Sequence, residues 1–129
     1  MKILLVDDDQ ALTTIFGTAL QKEGYEIVVA NEGNAGLEKA KAEKPDLVLL
    51  DQVLPDIPGN EVLKKLKADP ATQPIPVAML SNFGQNELVQ DAINNGALDY
   101  ILKYQVESQD LVNKVRELLK QSDSTQASQ

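Results

Sequence analysis

Five short apolar runs alternate along the chain with longer segments in which apolar residues recur at helical spacing. The runs are apolar at successive positions, which is typical of strands buried on both faces of a parallel sheet. Two helical stripes illustrate the spacing. The first longer segment has Leu12, Ile15, Phe16, Ala19 and Leu20 on one side, and the fourth has Leu88, Val89, Ala92 and Ile93. The predicted strands are 3–6, 25–29, 47–50, 77–80 and 98–102. The first predicted helix ends at Gly24, and it is followed by helices 34–44, 60–68 and 87–94, the last of these capped by Gly96. A final helix is capped by Ser108 and ends near Lys120.

This order of elements predicts a (βα)5 chain. Strands that are separated by helices pair in parallel through right-handed crossovers. The expected fold is therefore a doubly wound, three-layer α/β sandwich around a parallel five-stranded sheet. The flavodoxin-like strand order 2-1-3-4-5 would place the first, third and fourth strands around the point where the winding reverses.

Length and composition limit the possible functions. The chain has 129 residues, enough for one domain, and 20 acidic against 12 basic residues give a net charge of −8. Such a chain repels nucleic acids and anionic membranes, so we expect neither as a direct partner. It contains no Cys and no His, which excludes disulfides, Cys/His zinc sites and Ser-His-Asp triads. The four-residue apolar run near the N-terminus is too short for a signal peptide or membrane span, so a cytoplasmic protein is expected. The domain is assigned to residues 1–120, and the polar tail, 121–129, is expected to be disordered.

Polar residues follow four of the five predicted strands. Three acids, 7–9, come after the first strand; Asp51 follows the third, Ser81 the fourth and Lys103 the fifth. The carboxyl ends of parallel strands meet at one edge of the sheet, where ligands bind in such folds. Each residue alone has an ordinary explanation, and Asp9 is expected to cap the first helix. Together they indicate a functional site.

Few ligands and reactions are compatible with such a site. Several carboxylates suit a hard divalent cation, Mg²⁺ before Ca²⁺. No glycine-rich phosphate-binding motif is present. A carboxylate beside a cation, a hydroxyl and an ammonium group can attack a phosphoryl group, giving an aspartyl phosphate. Because the chain has no His, a phosphohistidine donor would have to be another protein.

Over residues 2–120 the chain resembles the receiver domain of two-component response regulators, specifically a stand-alone receiver. No one segment is specific, but five occur in order at the expected spacings. They are Ile3-Leu-Leu-Val-Asp-Asp-Asp9, Asp46-Leu-Val-Leu-Leu-Asp51, Leu54-Pro55 with Gly59, Pro76-Val-Ala-Met-Leu-Ser81, and Gly96-Ala-Leu-Asp-Tyr-Ile-Leu-Lys103.

The resemblance implies a role for each matched residue. Asp51 would be the phosphoacceptor. Asp7 and Asp8 would be the acidic pair that holds Mg²⁺, with Asp8 the more direct ligand, and the backbone carbonyl of Val53 would complete the metal site with Asp51.

Further roles concern the switch that follows phosphorylation. Ser81 would be the switch hydroxyl, Lys103 the ammonium that pairs with the phosphoryl group, and Tyr100 the aromatic residue that turns inward. Ser81 stands where Thr is more usual in the family. Tyr104 stands where the family usually has Pro, so the fixed φ of a proline is lost after Lys103.

The implied function is a phosphorylation-activated receiver rather than an enzyme with a separate substrate. A sensor histidine kinase, a histidine phosphotransfer protein or a small phosphodonor would phosphorylate Asp51, and changed protein contacts would carry the signal to an unidentified target. Two alternatives remain. One is an interaction module that never takes phosphate, and the other is a Mg²⁺-dependent aspartyl-phosphate phosphatase. A phosphatase would need a second Asp at the position of Val53, and the complete set of acidic, hydroxyl and lysine residues argues against an inert module.

Overall fold

A computed structural model of the chain describes the backbone of residues 1–127 and the side chains of residues 1–121. Its five strands form one parallel sheet in the order β2-β1-β3-β4-β5, which confirms the predicted fold class and strand order. The strands are β1 (Lys2–Val6), β2 (Glu26–Ala30), β3 (Leu47–Leu50), β4 (Val77–Ser81) and β5 (Asp99–Leu102).

Helices alternate with the strands as predicted, and most observed ends differ from the predicted ones by a residue or two. Both predicted glycine ends are confirmed, since Gly24 (φ 95°) and Gly96 (φ 103°) follow their helices in the left-handed region. The helices are α1 (Gln10–Lys22), α2 (Gly33–Glu43), α3 (Gly59–Ala68), α4 (Asn86–Asn94) and α5 (Ser108–Ala127), and a short 3₁₀ helix (Lys103–Gln105) follows β5.

The core has two halves, one on each face of the sheet, because successive strand residues point to opposite faces. Leu4, Val48 and Met79 pack on the face covered by α2, α3 and α4. Ile3 and Leu49 pack on the face covered by α1 and α5. Almost every side chain of the central strands β1, β3 and β4 is therefore buried. Their only polar side chains are Lys2, at the start of β1, and Ser81, at the carboxyl end of β4.

Two residues of the predicted helical stripes lie outside this core. Ile15 in α1 and Ile93 in α4 are 58% and 43% exposed. Each lies at the edge of a stripe that is wider than the surface its helix presents to the sheet. Periodicity therefore predicted these helices correctly and overestimated how much of each one is buried.

The last helix differs from its prediction at both ends. It begins at Ser108 itself, so Ser108 is not the cap; the preceding backbone N–H, that of Glu107, donates to Asp110 Oδ2 at 2.9 Å. The backbone remains helical through Ala127, whereas the sequence predicted an end near Lys120 and a disordered tail. The tail contains neither Gly nor Pro to stop the helix. The end of the predicted tail, 128–129, lies outside the described residues.

None of the helices in the described part of the chain is long and apolar enough to cross a bilayer.

Candidate functional site

The register of the central strands brings Asp7 and Asp51 together. Val6 pairs with Leu50 at the carboxyl ends of β1 and β3, and each aspartate is the next residue. The backbone N–H of Asp51 donates to the carbonyl of Val6 at 2.9 Å, so the ladder continues one residue past the strands. Two carboxylates that are far apart in sequence thus lie side by side at one edge of the sheet.

Asp8 completes an acidic cluster. One carboxylate oxygen from each of Asp7, Asp8 and Asp51 lies within 4.8 Å of the others, a spacing that could hold a metal ion. Asp7 and Asp51 are buried, at 5% and 6% exposure, whereas Asp8 is exposed. Asp7 Oδ2 is buried and accepts no well-formed hydrogen bond from the described residues. An oxygen-only donor set with one such unsatisfied oxygen fits a hard divalent cation.

Asp9 does not belong to the cluster. Its side chain accepts a hydrogen bond from the backbone N–H of Leu12 at 3.1 Å, which confirms the predicted cap of α1. Its own backbone N–H donates to Asp7 Oδ1 at 3.0 Å. Asp9 therefore fixes the start of α1 and helps to orient Asp7.

Lys103 reaches the cluster from the 3₁₀ helix that follows β5. Its Nζ lies 2.7 Å from Asp7 Oδ2 and 3.2 Å from Asp51 Oδ2, and all three side chains are at most 8% exposed. The long aliphatic stem allows the ammonium group to pass the intervening strand β4. One buried cation thus compensates two buried carboxylates, although the contact to Asp7 is an ion pair without good hydrogen-bond geometry.

Burial changes the acidity of the phosphoacceptor candidate. Desolvation, and then the negative charge of Asp7, raise the pKa of Asp51 to about 6, although the charge of Lys103 acts in the opposite direction. Burial also opposes the charged form of Lys103, but the close ion pair with Asp7 and the charge of Asp51 outweigh it and raise the pKa of Lys103. At neutral pH the Asp51 carboxylate is therefore ionised but poorly solvated, the state of a reactive nucleophile.

The raised pKa predicts that the affinity of the acidic cluster for a divalent cation, measured with Mg²⁺, depends on pH. Below about pH 6 the cation must displace a proton from Asp51, so affinity at pH 5 should be about tenfold weaker than at pH 7.5. Calorimetric titration at the two pH values measures this ratio. The control is Asp51→Asn, which should lose most of the pH dependence in this range; equal affinities in the unmodified protein would contradict the prediction.

The two predicted switch residues, Ser81 and Tyr100, are both hydrogen-bonded to Phe83. Ser81 is fully buried at the end of β4, and its Oγ accepts a hydrogen bond from the backbone N–H of Phe83 at 3.1 Å. Tyr100 in β5 is half-buried and packs against the core, and its hydroxyl donates a short hydrogen bond to the carbonyl of Phe83. Both side chains thus contact the loop between β4 and α4.

The loop after β3 positions the backbone around Asp51. Val53 is 54% exposed, and its backbone N–H donates a hydrogen bond that lowers the pKa of Asp51. Gly59, the first residue of α3, packs so closely that a Cβ there would lie 2.1 Å from the carbonyl oxygen of Asp51. Any larger residue at position 59 would push α3 away from the phosphoacceptor candidate.

Comparison with known families agrees with this geometry. The family described as the response regulator receiver domain matches residues 3–116 of the chain. The chain belongs to this family.

The receiver is similar to parts of larger regulators. RpaA of Synechocystis, named a DNA-binding dual master transcriptional regulator, is 36% identical to it over 123 residues, which cover 95% of this chain and 50% of RpaA. The DNA-binding response regulator MtrA of Mycobacterium tuberculosis is 35% identical over 126 residues, covering 98% of this chain and 54% of MtrA. The receiver thus spans about half the length of the curated relatives it matches.

Solved receiver structures share the fold. A CheY-like receiver domain protein from Methanospirillum hungatei is 34% identical, with a TM-score of 0.88, and the alignment covers 96% of this chain and 97% of that protein's chain. The BeF₃-activated receiver domain of Klebsiella pneumoniae RstA is 30% identical, with a TM-score of 0.82, and the alignment covers 92% of this chain and 98% of the RstA domain.

Two buried polar residues of the receiver were not singled out by the sequence pattern. Gln52, directly after Asp51, is 5% exposed, and Asn60, in the first turn of α3, is 7% exposed. A polar residue in a loop or at the start of a helix is ordinarily solvated, so neither position indicated burial. Their side chains are hydrogen-bonded to each other, and that of Gln52 is also bonded to Tyr100.

Proposed function

We propose that this receiver accepts a phosphoryl group on Asp51 from a phosphohistidine of a partner histidine kinase or histidine phosphotransfer protein, and then signals through changed protein contacts. The single observation that supports the proposal best is the buried Asp51 carboxylate, with its raised pKa, beside Lys103 and two further carboxylates. Under this proposal the receiver's only catalysis is its own phosphorylation and dephosphorylation, and the exchange takes place in the cytoplasm.

The proposed transfer is a displacement at phosphorus. An Asp51 Oδ forms the new P–O bond while the P–N bond to the donor imidazole breaks, and the imidazole nitrogen keeps the electron pair. Lys103 supplies positive charge next to the transferred group. The residues that would hold Mg²⁺ are Asp7, Asp8 and Asp51, together with the backbone carbonyl of Val53. The chemistry that Mg²⁺ would supply there is positive charge, which would reduce the repulsion between the carboxylates and the phosphoryl oxygens.

The proposed output is a shift between two arrangements of the loop after β4. The hydroxyl of Ser81 would lose the hydrogen bond that it accepts from the Phe83 N–H and would donate one to a phosphoryl oxygen instead. Tyr100, which is bonded to the same loop, would turn inward. The surface of α4, β5 and α5 would then change its affinity for a target protein. Exposed apolar residues, Ile93, Leu98 and Tyr104, are available there for such contacts.

The proposal is tested by titrating the receiver with beryllofluoride, a phosphoryl analogue, in the presence of Mg²⁺ and following backbone amides by NMR. We expect saturable shifts at Asp51 and at its neighbours across the sheet edge, and none in Asp51→Asn. Absence of saturable shifts in the unmodified receiver would favour an inert interaction module. A phosphatase would instead turn over a small phosphate ester, which we expect the receiver not to do.

The residues flanking Asp51 predict slow self-dephosphorylation. Val53 and Phe83, each two residues beyond a site residue, are apolar and 54% and 44% exposed. Neither can orient a water molecule towards the phosphoryl group. The phosphorylated receiver with Mg²⁺ should have a half-life of many minutes, measured by loss of the acyl phosphate. Val53→Asn should shorten it several-fold, whereas the matched Val29→Asn, on the exposed edge strand β2, should not; a half-life of seconds for the unmodified receiver would contradict this prediction.

A further inference from the structure

A closed polar network joins the phosphoacceptor segment to α4. It starts at Gln52, the neighbour of Asp51, and continues through Asn60 in α3 to Asp91 in α4, with a branch to Tyr100 in β5. Gln52 and Asn60 are buried, next to an otherwise apolar half of the core. The proposed roles of the site residues do not use this network.

Each amide of the network uses both its donors and its acceptor. Gln52 Oε1 accepts from the backbone N–H of Asn60 at 2.9 Å, and its Nε2 donates to Asn60 Oδ1 at 3.1 Å and to the Tyr100 hydroxyl at 3.3 Å. Asn60 Nδ2 donates to Asp91 Oδ2 at 2.9 Å and to the carbonyl of Leu88 at 3.4 Å.

The chemistry of the two ends fixes the direction of every bond between them. A backbone N–H can only donate, so the oxygen of Gln52 must face Asn60. An ionised carboxylate can only accept, so the Asn60 nitrogen must face Asp91. The other Asp91 oxygen is also engaged, by Asn95 Nδ2 at 3.1 Å. A buried network that is satisfied in one arrangement holds its members in one geometry.

The branch through Tyr100 leads back to the switch hydroxyl. The Tyr100 hydroxyl accepts from Gln52 and donates to the carbonyl of Phe83, and the N–H of Phe83 donates to Ser81 Oγ. Gln52 is therefore bonded to α3 directly, to α4 through Asn60, and to the loop after β4 through Tyr100. A rearrangement of that loop must either carry this network with it or break it.

We infer that Gln52 is a positioning residue that couples the state of Asp51 to Tyr100 and α4. The inference rests on the proposed function, since it describes how phosphorylation at that same site reaches the output surface. Replacing Gln52 by an apolar residue of similar size should leave the ligand site itself intact, while α4 no longer follows it.

The test compares Gln52→Leu with the unmodified receiver in the beryllofluoride titration. We expect amides around Asp51 to shift as before, and the shifts of α4 amides and of the Tyr100 ring signals to fall to about half or less. The matched control is Gln90→Leu, which removes an exposed bond to Asn94 on α4 and should leave the response intact. A full α4 response in Gln52→Leu, or an equal loss in Gln90→Leu, overturns the inference.

A second variant decides the question if Gln52→Leu does not fold. Asp91→Ala removes the shorter of the two bonds from Asn60 to α4 and leaves the bond from Gln52 to Tyr100 in place. We expect the α4 response to fall while the Tyr100 ring still shifts; an undiminished α4 response overturns the inference. The proposed function fails separately, through absence of site shifts in the unmodified receiver.

Discussion

The Asp51→Asn variant is expected to take up no phosphoryl group from a small phosphodonor or a histidine kinase, and to fold normally. The amide that replaces the carboxylate is not a nucleophile at neutral pH. Phosphorylation is measured as acyl phosphate that hydroxylamine cleaves. The matched control is Asp46→Asn. Asp46 directly precedes β3, at the amino ends of the strands and away from the site, and its side chain accepts a hydrogen bond from the backbone N–H of Lys2. Phosphorylation of Asp51→Asn at the normal level would reject Asp51 as the acceptor.

The same variant should be more stable than the unmodified receiver at pH 7.5. The pKa of Asp51 is 3.8 in the unfolded chain and about 6 in the folded chain. At a pH between these two values, the folded chain holds a proton on Asp51 that the unfolded chain has released. Stability therefore falls as pH rises through this range, and the full penalty is present above it. Removing the charge should raise the free energy of unfolding at pH 7.5 by about 1–2 kcal/mol, measured by urea denaturation.

Lys103→Met is expected to have the largest effect on stability. It leaves two buried carboxylates, those of Asp7 and Asp51, without their cation. The free energy of unfolding at pH 7.5 should fall by about 3–5 kcal/mol. Without Lys103 the pKa of Asp51 must rise further, so stability should be partly recovered as pH is lowered towards 5, because the folded chain then takes up a proton.

An exposed ion pair provides the matched control for Lys103→Met. Lys114 lies 3.0 Å from Asp99, with both side chains partly solvated, and Lys114→Met should change stability by less than about 1 kcal/mol. The contradicting result for Lys103→Met is a loss as small as that of the control, or a loss that is equal at both pH values.

The strand order and the position of the site could be predicted because both follow from strong local signals. A wholly apolar run such as 47–50 admits few alternatives to a central strand, and the residue after it, Asp51, is placed by the strand itself. The sequence likewise indicated Lys103, because it directly follows the fifth predicted strand and its charge is opposite to that of the acids. The details of the helices were less predictable, since Ile15 and Ile93 satisfy the periodicity and still face solvent.

The polar network could not be predicted, because its signal is entirely tertiary. Asn60 and Asp91 are 31 residues apart in sequence, and neither residue type indicates burial. Gln52 follows an informative residue but lies at the start of a loop, where glutamine is unremarkable. Only the packing of α3 and α4 beside Asp51 converts these three ordinary residues into one hydrogen-bonded unit.

The contact between Lys103 and Asp7 has a consequence for the synthesis of the chain on the ribosome. The two residues are far apart in the chain, and the ribosome adds the lysine only after all five strands have been translated. Until that moment the acids at the sheet edge have no cation among the site residues, so a partly made or prematurely terminated chain lacks a complete site. Under the proposed function, a chain that ends before Lys103 would therefore lack the cation of its acceptor site.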